Sequence, residues 1–172
     1  WIDLPMDIQS QRAELLIEDV EQPQDYLTTQ AKESIANLAE KLGKAREPVF
    51  LVGNGLRLSN LGKGIPILRD ICSEHGVPVV STYLGNDFFL SSFRNYFGVV
   101  GLKAARRANI ILHNSDLIVV FGSRLATSVI GYEYDMFAPG ADIISIDVDQ
   151  QEHQKKTRAS IEVILSDCHE AL

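Results

Sequence analysis

The chain has 172 residues, with 16 Lys and Arg against 23 Asp and Glu and a formal net charge of −7. That length fits one domain, and a chain of this size buries roughly 70% of its unfolded surface, so it needs neither a disulfide framework nor a metal staple. The acidic balance argues against nucleic acid or an anionic membrane as partner, since either surface demands an excess of Lys and Arg.

The chain opens W-I-D-L-P-M-D-I. Ile2, Leu4 and Met6 alternate, but Pro5 cannot donate to a sheet ladder, so residues 1–8 read as an extended or edge segment. Residues 9–25 are polar, acidic and without period, and read as a linker. The first residue is Trp1 and not Met, which suggests a processed chain or a piece of a longer one. Over 28–42, Ala31, Ile35, Leu38, Ala39 and Leu42 share one helical face, with Thr28 or Thr29 as N-cap and Gly43 placed to end the helix. The apolar run 48–52 is a strand, followed by a glycine loop. A second helical face carries Leu61, Ile65, Leu68, Ile71 and Cys72. Pro66 is tolerated only in a first turn, so this helix should begin near Ile65, and Gly76 ends it. Residues 77–80 form the next strand, and 81–102 a long loop rich in Gly, Asn, Ser and aromatics. Ala104, Ala105, Ala108, Ile111 and Leu112 mark a helix over 103–112. Further strands are expected at 117–121, 143–146 and 161–165, with Asp167 capping a short final helix.

These strands are apolar throughout instead of alternating, as expected of a parallel sheet covered on both faces. The alternation of strand and helix predicts an α/β fold: a three-layer, doubly wound (Rossmann-like), mostly parallel sheet of five to six strands with helices on both faces. The longest apolar runs, such as 117–121, fall far short of the about 20 residues a membrane helix needs. Cys72 and Cys168 lie far apart with no C-x-x-C, which suggests a reduced, cytoplasmic setting. The histidines at 75, 113, 153 and 169 show no zinc-ligand spacing.

In such a fold, ligands sit outside the carboxyl ends of the strands, so the residues just after each apolar run carry the functional information. After the first strand come Gly53, Asn54 and Gly55, where glycines allow a tight turn and exposed N–H groups suit an anion. Position 58 is Leu, not the third glycine of a dinucleotide fingerprint, and there is no G-K-[ST], so a ligand-free tight turn is an equal reading. The second strand leads to Thr82, Tyr83 and Leu84, and the third to Gly122, Ser123 and Arg124. Arg124 suits a phosphate, or a surface ion pair. Asp147, after the fourth, suits a ribose hydroxyl or adenine amino group, or equally a helix cap. No catalytic constellation and no G-x-S-x-G occur.

Taken together, these strand-end motifs resemble the middle domain of thiamine-diphosphate enzymes of the acetolactate synthase family. The segments are W-I-D-L-P-M-D-I-Q at 1–9, P-V-F-L-V-G-N-G-L-R-L-S at 48–59, G-V-P-V-V-S-T-Y-L-G at 76–85, S-D-L-I-V-V-F-G-S-R at 115–124, F-A-P-G-A-D-I-I-S-I-D-V-D at 137–149 and S-D-C-H-E-A-L at 166–172. The resemblance implies a linker over 1–25 and a nucleotide-binding-type central domain over 26–172. Flanking domains, not in this sequence, would hold thiamine diphosphate and Mg²⁺ and carry the G-D-G…N-N motif, which is lacking here. The parent would be a decarboxylase or carboligase, a homo-oligomer in which this domain's partners are the other domains of its own chain; alone, these residues should not catalyse. The middle domain of the family holds FAD, ADP or nothing. By position the contacts would be Gly53, Gly55, Thr82, Tyr83, Leu84, Gly101, Leu102, Gly122, Ser123, Arg124 and Asp147, with Asn54 inside the first turn. Two departures weaken the fit to FAD. The usual G-x-R-F-D-D-R is G-S-R-L-A-T-S at 122–128, and the usual M-H-G is Leu102-Lys103-Ala104. The competing readings are a stand-alone NAD- or FAD-binding module and a purely structural spacer.

Overall fold

The computed structural model describes residues 5–9, 28–104, 106–149, 151 and 161–172. Residues 1–4 and most of the expected linker lie outside them. Where the start is described it is helical, not extended: a single turn, α1 (Met6–Gln9), follows Pro5, whose carbonyl accepts from Ile8 N and Gln9 N, both at 3.1 Å. A proline costs nothing at a helix start, where its missing N–H has no partner in any case.

Helix α2 (Thr29–Lys44) is capped as expected, with Thr28 Oγ1 accepting from Ala31 N at 3.2 Å. It does not stop at Gly43 but runs to Lys44, with Ala45 as C-cap. The exit is set by tertiary bonds: Arg46 N and Glu47 N both donate to the Asp116 carboxylate, at 2.7 and 3.0 Å. Strand β1 (Pro48–Val52) follows, then a short helix α3 (Gly55–Leu58) and a tight turn over Ser59–Gly62. Helix α4 (Gly64–His75) places Pro66 in its first turn and ends on Gly76, at φ +71°.

Strand β2 (Val79–Ser81) starts two residues later than its apolar run. The segment expected to be all loop contains a strand, β3 (Tyr96–Val99), which alternates buried and half-buried residues. Then come α5 (Arg106–His113), β4 (Leu117–Phe121), α6 (Thr127–Ile130), β5 (Asp142–Asp147) and β6 (Ile161–Leu165). The expected final helix is one turn only, in which Ala171 N reaches Asp167 O at 3.2 Å.

The six strands form one sheet in the order β3-β2-β1-β4-β5-β6, every pair parallel. The α/β, three-layer, doubly wound expectation holds. Two apolar layers cover the sheet. Phe50, Val52, Val119, Phe121, Ile144 and Ile146 pack on one face against Leu38 of α2 and Leu68 and Cys72 of α4. Val49, Leu51, Ile118, Val120 and Ile143 pack on the other against Ala108 and Leu112 of α5 and Ile130 of α6. Among the described residues no helix is long and apolar enough to cross a membrane.

Candidate functional site

The chain leaves β1 toward β2 and β3 on one side, and β4, β5 and β6 fill the other. A doubly wound sheet opens a crevice at the carboxyl ends of its strands where the order reverses in this way. A cleft of about 940 Å³ lies there. That is at the upper end of small-molecule sites, roughly 300–1,000 Å³. Gly53, Asn54, Gly55, Thr82, Tyr83, Leu84, Gly122, Ser123, Arg124 and Asp147 all line it, so ten of the residues singled out from the sequence converge on one cavity.

Gly101 and Leu102 do not line it. A Cβ on Gly101 (φ +122°) would lie 2.3 Å from Ser128 O, and Leu102 N donates to that same oxygen at 3.0 Å. The side chain of Asn109 holds both polar groups of Gly101, accepting from its N at 3.0 Å and donating to its O at 2.9 Å. Gly101 is therefore a packing glycine that seats the β3 exit on α5 and α6. Ser128 and Ala126, at the altered positions of the G-S-R-L-A-T-S stretch, do line the cleft.

The floor of the cleft is a glycine interlock. A Cβ on Gly53 would meet Gly122 O at 2.3 Å, and one on Gly55 would meet Gly122 Cα at 2.6 Å. The loops after β1 and β4 thus touch backbone to backbone, joined by Gly53 N to Phe121 O (2.8 Å) and Gly55 N to Gly122 O (2.9 Å). Of the N–H groups expected to be exposed in this loop, those of Gly53 and Gly55 are thus engaged within the protein. After Arg124, the buried Leu125 adopts φ +45°, held by its N–H on Ser123 Oγ at 3.3 Å.

The opposite wall is acidic. Asp147 closes β5 and accepts from Asp149 N at 3.1 Å; Asp149 accepts from Gln151 N at 2.8 Å. Asp167, two residues beyond the end of β6, accepts from His169 N at 2.8 Å and from Ser59 Oγ. Asp149 and Asp167 line the cleft beside Asp147. The rule of reading the residue after each apolar run would have found Asp167, had it not been read as a helix cap. Ser59, Asp167 and His169 look like a nucleophilic triad but are not one. His169 takes part through its backbone N, 2.8 Å from Ser59 Oγ, and its Nδ1 is buried with no partner among the described residues. The imidazole is not at the serine oxygen, whose hydroxyl donates to the Asp167 carboxylate instead, so the histidine base of a triad is not supplied. Cys168 also lines the cleft, but burial, with Asp147 and Asp167 nearby, pushes its thiol well above the ordinary range, so it is no thiolate.

The lip formed by Tyr83 and Leu84 is pinned from outside. Arg57 forms a two-pronged ion pair with Asp87, donates to Leu84 O at 3.1 Å and lies 4.8 Å over the Phe88 ring. The Arg57 guanidinium holds the Asp87 carboxyl below the usual range.

Residues 35–172 match the family model described as thiamine pyrophosphate enzyme, central domain. The chain is 32% identical over 130 residues to an acetolactate synthase of Mycobacterium avium, covering 76% of this chain and 20% of that protein. It is 26% identical over 166 residues to the large subunit of acetolactate synthase isozyme 2 of Escherichia coli K12, covering 93% of this chain and 28% of that protein. It thus spans between a fifth and about a quarter of the length of these relatives. A solved Mycobacterium smegmatis protein assigned to the thiamin diphosphate-dependent enzymes shares the fold, with a TM-score of 0.64 at 18% identity over 81% of this chain and 26% of its own. The six-stranded sheet, its order and the family match converge: the chain belongs to the thiamine pyrophosphate enzyme central-domain family.

Proposed function

We propose that the chain is the central domain of a longer enzyme of the acetolactate synthase kind, and that its cleft holds a nucleotide-class ligand while the reaction runs on flanking domains. The domain proper would span 26–172 behind a linker at 1–25, with the other domains of the same parent as its partners. The observation that carries this reading is the cleft itself, which gathers strand-end residues from β1, β2, β4, β5 and β6 at the switch point.

Thiamine diphosphate, where bound, supplies an electron sink for decarboxylating a 2-oxo acid. The residues of this chain do not fit that group and its metal. No G-D-G occurs in the sequence, and among the described residues no three His, Cys, Asp or Glu are grouped to hold a cation. No step of the reaction is therefore assigned to this chain. Its own residues bind and orient: Arg124 faces a phosphate, Asp147 a hydroxyl or amine, and Tyr83 and Leu84 cover an apolar ring.

The test is the full translation product of the gene. It should consume pyruvate only when thiamine diphosphate and Mg²⁺ are supplied, and a nucleotide at 100 times its Kd should stabilise it by about 2.7 kcal/mol. A reading frame that begins just before Trp1 and stops after Leu172 would refute the enzyme assignment.

A further inference from the structure

We propose that Arg57 is a positioning residue of the cleft: it locks the turn Tyr83–Gly85 in the place from which Tyr83 and Leu84 cover a bound ligand, without touching that ligand itself. This role rests on the reading of the cleft as a nucleotide-class site.

Arg57 lies on α3 between two residues of the cleft wall. Its backbone N and that of Leu58 donate to Asn54 O at 3.0 and 3.2 Å, and Asn54 and Leu58 both line the cleft. Arg57 itself does not line it; the guanidinium reaches instead to the loop after β2. There it donates to both carboxylate oxygens of Asp87 and to Leu84 O at 3.1 Å, and it lies 4.8 Å over the Phe88 ring. That ring closes on the turn in its own right. A Cβ on Gly85 would meet Phe88 Cε2 at 3.1 Å and Val52 O, at the end of β1, at 3.3 Å. Thr82 N donates to the same Val52 O at 2.9 Å. One side chain therefore ties together the two loops that bound the cleft on the β1–β2 side.

The lip needs such a tie. Leu84 is 67% exposed and Tyr83 43%, so packing of their own side chains does little to hold them. An exposed ion pair adds little to global stability. A planar fork that meets a carboxylate, a carbonyl and a ring at once fixes a geometry that an ammonium group cannot. Loss of Arg57 should therefore act on ligand affinity more than on the melting temperature, because the two lip side chains must then be ordered on binding.

The experiment titrates the full translation product with ADP and FAD by calorimetry, and follows hydrogen exchange of the ligand-free protein by mass spectrometry. Arg57→Ala should raise both dissociation constants about fivefold to tenfold, from the ordering of two side chains on binding. It should also speed exchange over 84–88 and leave 117–121 unchanged. Removing a positive charge would weaken an anion by itself, and three more variants separate that effect. Arg57→Lys keeps the charge but not the fork, and should stay within about twofold of Arg57→Ala. Asp87→Ala removes a negative charge, which by Coulomb attraction alone would tighten an anion, yet it should weaken both ligands about threefold because the fork loses its anchor. Arg69→Ala breaks the exposed Arg69–Asp70 pair on α4, neither member of which lines the cleft, and should leave both ligands and the exchange pattern as they are. Full rescue by lysine, tighter binding in Asp87→Ala, or unaltered exchange over 84–88 would overturn the positioning role while leaving the nucleotide cleft standing. Heat-free injections of both ligands into the unsubstituted protein, together with an absence of any thermal shift, would remove the cleft reading and this role with it.

Discussion

Three glycine substitutions separate the forces at the floor of the cleft. In Gly122→Ala, the new Cβ meets Gly55 Cα at 2.5 Å, Gly55 C at 2.7 Å and Leu56 N at 2.7 Å, at a position with φ +58°. All three neighbours are backbone, so no rotamer change relieves the clash. The left-handed conformation alone costs a non-glycine residue about 1–2 kcal/mol. Forcing the loops apart adds about 1–3 kcal/mol of overpacking and strains the Gly55 N bond to Gly122 O. The expected loss is about 2–5 kcal/mol, a large part of an ordinary domain's stability of about 5–15 kcal/mol. Gly76→Ala isolates the conformational part: φ is +71° but the Cβ enters open space, so about 1 kcal/mol should be lost. Gly43→Ala has neither strain nor a neighbour and lies inside α2, so it should add about 0.5–1 kcal/mol. Urea unfolding followed by circular dichroism would rank the three, with comparable m-values showing that the denatured state is unchanged. If Gly122→Ala cost no more than Gly76→Ala, the backbone interlock would not be holding β1 and β4 at the switch point.

Three other outcomes follow from single side chains. Ser145 is buried with no hydrogen-bond partner for Oγ among the described residues, so Ser145→Ala should raise stability by up to about 1 kcal/mol in a thermal melt; a drop would mean that the hydroxyl is satisfied. Asp116 has its carboxyl held below the usual range by the backbone N–H of Arg46, then of Glu47. Its stabilisation is therefore present above the unfolded value near ~3.9 and lost as pH falls through the lower folded value. Asp116→Asn, which keeps one of the two bonds, should cost about 1 kcal/mol at pH 7, with the gap closing below about pH 4; a gap constant with pH would refute the charge-assisted reading. Burial pushes the Cys72 thiol up to about 12, and Cys168 is buried in the same apolar layer. Iodoacetamide at pH 8 should leave both unmodified in the native protein and modify both in urea, as read by mass spectrometry.

The elements that pack on both faces were legible because burial decides them locally: 48–52 and 117–121 read as strands from composition alone, and β1 and β4 have those bounds. Strand β3 was not legible, because Tyr96–Val99 sits at an edge, pairs only with β2 and follows the polar Arg94 and Asn95. What makes it a strand lies elsewhere in the chain: Val79 N donates to Asn95 O at 2.8 Å, and Asn95 Nδ2 reaches Cys72 O and Val77 O at 2.9 and 3.2 Å. The site shows the same division. That ligands collect at strand ends follows from the topology, and it brought ten positions into one cleft. Why those positions are glycine does not follow from it. Gly53 and Gly122 read as places where backbone can approach a ligand, and Gly101 as a contact implied by the family resemblance. What lies nearest a Cβ at each is Gly122 O for Gly53, Gly55 Cα for Gly122 and Ser128 O for Gly101. A glycine in a sequence reports that a Cβ is forbidden. Only the fold tells whether a ligand or another strand's turn forbids it, and here the turns occupy the space beside Gly53 and Gly122 and engage their N–H groups.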